Sequence, residues 1–102
     1  MSEYVSRLKN AEIDSLFEAI LNLKSVSECY QFFEDALTIQ ELLSISQRWE
    51  VAKELDTGVT YSDIASKLNA STATISRVNR CLAYGAGGYR LLLDRTKENA
   101  KE

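Results

Sequence analysis

The chain contains no proline, and three of its four glycines crowd together at Gly85, Gly87 and Gly88. Over 102 residues this leaves few places where the backbone can reverse tightly. A sheet protein of such a length needs many turns. The scarcity of turn-formers therefore predicts an all-α fold of about six helices joined by short connections. The length suits one small helical domain spanning 1–102. Apolar residues make up 45% and charged residues 26% of the chain, enough for a packed core and too apolar for a disordered tail.

Several function classes fall away at once. No uncharged run approaches the 18 or so apolar residues of a membrane span. The N-terminal stretch MSEYVSRLKN has neither the apolar centre nor the cleavage site of a signal peptide. The expectation is a cytoplasmic protein with no membrane partner. Histidine is absent, which removes the usual zinc ligand, the Ser-His triads and the commonest general base. Cys29 and Cys81 lie far apart in no metal-like pattern, and are expected as buried thiols in a reducing compartment. No nucleophile–base pair stands out, and GAGG at 85–88 lacks the lysine and preceding strand of a phosphate-binding loop. Neither an enzyme nor a cofactor or metal is expected.

The formal net charge of −3 conceals an asymmetry. Residues 1–58 carry five cations (Arg7, Lys9, Lys24, Arg48, Lys53) against eleven acids. Residues 59–95 carry five cations (Lys67, Arg77, Arg80, Arg90, Arg95) against only Asp63 and Asp94. An acidic half followed by a basic half suggests one face meeting an anionic partner.

Helix signals follow one another along the first half. Asn10 can cap a helix whose Ile13, Leu16, Phe17, Ile20 and Leu21 form an apolar stripe. Ser25 with Glu28 has capping-box spacing ahead of Val26, Cys29, Tyr30 and Phe33. Thr38 with Glu41 repeats it before a third helix through Leu42, Ile45, Trp49, Ala52 and Leu55, which stops at Gly58. These side chains read as core. Phe32 falls off the second stripe, so that helix is apolar on two sides and needs a second layer. In so small a chain the second layer is expected to be another copy, making 10–58 the dimerisation helices of a homodimer.

The functional signal lies in 60–84, TYSDIASKLNASTATISRVNRCLAY. It reads as a helix over about 61–68, a turn at Asn69–Ser71 and a second helix over 72–84. Ile64, Leu68, Ile75 and Val78 are the apolar positions that pack the two helices. Ala65 is small where they cross. Asn69 tolerates positive φ at the turn, Ala70 tucks into the core, and Ser71 caps the second helix. This combination predicts a helix-turn-helix, followed by a C-terminal helix and tail over 85–102 carrying Tyr89, Leu92 and Leu93. The candidate DNA-binding residues are Ser62 and Lys67 on the first helix, and Ser71, Thr72, Ala73, Thr74, Ser76, Arg77 and Arg80 on the second. Small hydroxyl and methyl groups suit base edges in the major groove, and the cations suit the flanking phosphates of double-stranded DNA.

Two blocks, LTIQELLSISQRWEVAKELDTG (37–58) and SDIASKLNASTATISRVNRCL (62–82), resemble the Trp repressor superfamily, more closely its YerC/YecD branch. The resemblance spans roughly 10–95 and is most specific in ASTATISRVNRCL and the YGAGGY that follows. It implies an intertwined all-helical homodimer whose helix-turn-helices enter successive major grooves. The founding member binds tryptophan as corepressor, and the corresponding effector-pocket residues here are Thr38, Arg48 and Arg77. Arg48 has the alternative of pairing with acids of the acidic half. Val78 stands where the founding member has a glycine that leaves room for the indole, so tryptophan itself is not expected to bind. The expectation is a transcriptional regulator of repressor type. The alternatives are a helical protein–protein module, or an accessory or architectural DNA-binding protein without gene-specific regulation.

Overall fold

The computed structural model describes residues 3–101. Among them are six helices and no strand: α1 (Ala11–Ile20), α2 (Val26–Ala36), α3 (Ile39–Asp56), α4 (Tyr61–Leu68), α5 (Thr72–Tyr84) and α6 (Gly88–Lys101). No helix among the described residues is long and apolar enough to cross a membrane. The chain divides into two compact units, Met1–Thr38 and Ile39–Glu102.

In the first unit local chemistry sets both helix starts. The Asn10 side chain accepts from the Ile13 N–H at 2.8 Å, and Ser25 Oγ accepts from the Glu28 N–H at 3.0 Å. Glu28 reaches back one residue further than a standard capping box, with Oε1 accepting from the Lys24 N–H at 2.9 Å. The expectation that these helices supply core does not hold within the chain. No residue of α1 or α2 is buried, and Leu16, Phe17, Val26 and Tyr30 are exposed, as is Leu21 just after α1. A pair of short helices has no second layer of its own for those side chains. Phe32 and Phe33 are half-buried and meet edge to face at 5.1 Å.

The second unit holds the core: Val51, Ala52, Ile64, Ala70, Ile75, Val78 and Leu93. Trp49, Leu55, Val59, Ala65, Leu68, Leu82 and Tyr89 pack against it. Fully burying an isoleucine such as Ile64 or Ile75 contributes roughly 1.5–3 kcal/mol. Val51 was not apparent from the α3 stripe, whereas Ile45, which was, is exposed. The buried residues of α3, Val51 and Ala52, both lie in its C-terminal half.

α3 ends as Gly58 predicts. With φ at +84°, Gly58 donates its N–H to Leu55 O at 3.1 Å, and Val59 donates to Glu54 O at 3.1 Å. These two bonds form a complete Schellman motif that turns the chain toward α4. Gly85 is required for a different reason. It closes α5 by donating its N–H to Cys81 O at 2.9 Å, and a Cβ there would lie 2.5 Å from that same oxygen. The expectation of buried thiols is corrected: Cys29 and Cys81 are both exposed and free. Neither helix has an apolar layer over its cysteine within the chain.

Asp56 ties α6 to the end of α3. Its Oδ1 accepts from Arg90 at 2.8 Å, and Lys97 Nζ lies 2.5 Å from Oδ2. Arg90 also pairs with Asp94 one turn along α6 at 3.1 Å. The two cations hold the Asp56 carboxyl well below the usual range, at about 2.

Candidate nucleic-acid interface

α4, the turn and α5 lie where the sequence predicts them. Thr60, which the sequence reading did not single out, caps α4 by accepting from the Asp63 N–H at 3.2 Å. Asn69 then takes φ 53° and ψ 41°, the only non-glycine in the left-handed region among the described residues. That single residue reverses the chain, and Ala70 drops into the core behind it. Ser71 caps α5, its Oγ accepting from the Thr74 N–H at 3.1 Å.

Gln47 adds a long-range tie. Its Nε2 donates to the carbonyls of Leu68 and Asn69, at 3.4 Å each, satisfying oxygens that the end of α4 leaves open. The sequence carries no local sign of this, because Gln47 lies on α3, some twenty residues away. The reversal is thus fixed by an αL residue, a buried methyl, a cap and a side chain from the neighbouring helix.

The geometry sorts the candidate residues. Ile75, Val78 and Leu82 of α5 face the core. At 100° per residue, Ala73, Ser76, Arg77 and Arg80 lie on the opposite side, and all four are exposed. Thr72 is exposed at the start of the helix. Ser71 and Thr74 are engaged with each other: Ser71 Oγ donates to Thr74 Oγ1 at 3.0 Å, leaving the Thr74 proton free to donate onward. Thr74 is half-buried beside the stripe. Ser62 is exposed on α4. Lys67 is exposed but already partnered, its Nζ 2.5 Å from Glu54 Oε1 on α3. Glu54 escaped the sequence reading, since nothing local joins α3 to the end of α4. No acid falls between Asp63 and Asp94, so the outward face of α5 is basic, and its first turn holds no acid to oppose the positive helix end.

The residues matched to an effector pocket are placed as follows. Thr38 closes the first unit, just before α3. Arg48 and Arg77 both act on Tyr89: burial foremost, then the Cys81 thiol, pushes the Tyr89 phenol up, while the two guanidinium groups pull it down. Val78 is only 1% exposed, so its isopropyl group is packed into the core. An open apolar groove of about 740 Å³ is lined among others by Ile45, Trp49, Cys81, Tyr89, Leu91 and Leu92. No group of side chains among the described residues could hold a metal ion.

Known proteins share this arrangement. The profile of the Trp repressor protein family matches residues 11–97. The uncharacterized protein YerC of Bacillus subtilis (strain 168) is 51% identical over 98 residues, covering 96% of this chain and 94% of its own. A TrpR-like protein of Eubacterium eligens ATCC 27750 superposes with a TM-score of 0.85 at 56% identity, over 89% of this chain and 94% of that one. A proposed Trp repressor from Staphylococcus aureus gives a TM-score of 0.86 at 48% identity, over 94% and 96%.

Proposed function

Because the chain belongs to the Trp repressor family, whose fold is that of DNA-binding regulators and not of enzymes, we propose that it is a sequence-specific transcriptional repressor acting as a homodimer on double-stranded DNA in the bacterial cytoplasm. One observation carries the reading. α5 is fixed to the core by Ile75 and Val78 and reversed from α4 at a left-handed Asn69, and it turns an acid-free face of Ala73, Ser76, Arg77 and Arg80 outward. In this reading Thr72, Ala73, Thr74 and Ser76 meet base edges, while Arg77 and Arg80, with Ser62 and Ser71, meet phosphates. Lys67 reaches a phosphate only by sharing its ammonium with Glu54.

Two apolar surfaces support the homodimer. The helices α1 and α2 bury nothing of their own, and the groove beside Trp49 is open. A second copy supplies each with a cover, and a two-fold axis then sets two recognition helices one DNA turn apart. The assignment of 10–58 to dimerisation and 60–84 to DNA binding follows from it. The buried isopropyl group of Val78, at the position where the Trp repressor has glycine, favours a repressor that needs no tryptophan.

Selection on random duplex DNA at physiological salt, without added ligand, tests the proposal. Enrichment of a near-palindrome with half-sites about 10 base pairs apart is expected. Affinity for that duplex should fall with salt at a log–log slope of about −4, from Arg77 and Arg80 on two protomers. A salt-independent interaction overturns it and leaves a protein-docking module, whereas salt-dependent binding with no enriched sequence leaves a ligand-gated repressor, tested by repeating the selection with amino-acid pools, or an architectural DNA-binding protein.

A further inference from the structure

The outward stripe of α5 does not stop at Arg80. Tyr84, four residues on, continues the spacing of Ala73, Arg77 and Arg80 and ends the helix. Its side chain is 87% exposed, more than any other large apolar or aromatic side chain among the described residues. No hydrogen bond within the described chain engages its hydroxyl, and with no acid from Ile64 to Leu93 its surroundings suit an anion.

The length of the helix says which anion. From Ala73 to Tyr84 α5 rises about 16 Å, whereas the major groove is about 8.5 Å deep. With α5 entering the groove N-terminus first and Ala73 at the base edges, Tyr84 lies beyond the groove floor, at the level of the phosphate rim. A phenol there reads no base, but its O–H can donate to a phosphodiester oxygen. We propose that Tyr84 is a phosphate-contacting residue that clamps the C-terminal end of the recognition helix to the DNA backbone and so fixes its angle of entry. This rests on the reading that α5 enters the major groove.

Titrations of the full chain against the enriched duplex and a scrambled one, at several salt concentrations, test the clamp. The variants are Tyr84→Phe, Tyr84→Ala and Arg80→Gln, each also followed by sedimentation velocity. Tyr84→Phe removes only the hydroxyl. It should weaken binding to both duplexes alike, by about a hundredfold or more for the two lost charge-assisted bonds of a dimer, with an unchanged salt slope. Arg80→Gln should flatten the slope by about 1.8. If Arg80→Gln behaves so while both Tyr84 variants bind like the parent protein, the clamp is overturned and the DNA-binding reading stands. If Tyr84→Ala instead changes the oligomeric state and leaves the affinity of the dimer intact, Tyr84 belongs to a protein interface and the clamp is again overturned. If the parent protein shows no salt-dependent affinity, both readings fall together.

Discussion

Replacing Asp56 by asparagine keeps the shape of the side chain and removes the charge that Arg90 and Lys97 share. The Asp56 pKa is lowered from 3.8 to about 2, which corresponds to about 2.4 kcal/mol favouring the folded, ionised state. Asp56 is 10% exposed, but Arg90 and Lys97 are about half exposed. Solvent screening reduces the figure to roughly 1–1.5 kcal/mol. Because the folded pKa lies below the unfolded one, this stabilisation is complete above about pH 5 and is lost progressively as pH falls through 3.8 and then about 2. Urea denaturation at fixed protein concentration, so that association does not confuse the comparison, should find Asp56→Asn less stable by that amount at pH 7. The gap should shrink to about half by pH 3. A variant as stable as the parent at pH 7, or a gap that stays constant down to pH 2, refutes the account of α6 as held by this carboxylate.

Substitutions at three further positions test the helix-turn-helix. Ala65→Leu inserts bulk where α4 packs against the core and should cost about 1–3 kcal/mol. Unchanged melting temperature and DNA affinity would contradict the packing described. At Asn69, where φ is 53°, Asn69→Val should cost about 1–2 kcal/mol while Asn69→Gly is tolerated; equal denaturation midpoints for the two would exclude a strained turn. Arg77→Ala, on the exposed face, should leave thermal stability alone and flatten the salt slope of DNA binding by about 1.8. A lower melting temperature with normal binding would make Arg77 structural.

What could be read from the sequence is what neighbouring residues decide among themselves. The caps at Asn10, Ser25 and Ser71, the αL turn at Asn69 and the Schellman stop at Gly58 each depend on a few consecutive residues, and each lies where the sequence places it. Contacts across the chain were not legible. Gln47 on the turn carbonyls, Glu54 on Lys67, and Asp56 between Arg90 and Lys97 join residues 13 to 41 positions apart, and a charged side chain carries no mark of its partner. The apolar pattern of α1 and α2 correctly signalled helices with large amphipathic faces, yet not whether one chain buries them. The exposure of Phe17, Leu21 and Tyr30 is a property of the single chain. The exposed cysteines have the same origin, since apolar neighbours in sequence imply burial only where a second layer exists.

The two sides of α5 also bear on how such a protein can diversify. Ile75, Val78 and Leu82 hold the helix, while Ala73, Ser76, Arg77 and Arg80 contribute nothing to the interior. Substitutions on the outer side leave the scaffold intact, so the recognition surface proposed there can be rewritten one position at a time without loss of fold. The inner positions have no such freedom, because each fills space that Val51, Ile64 or Leu93 already bounds. One helix thus joins a substitutable surface to a packed support, and on the proposed DNA-binding reading duplicated copies of the chain can acquire new DNA targets at little cost in stability.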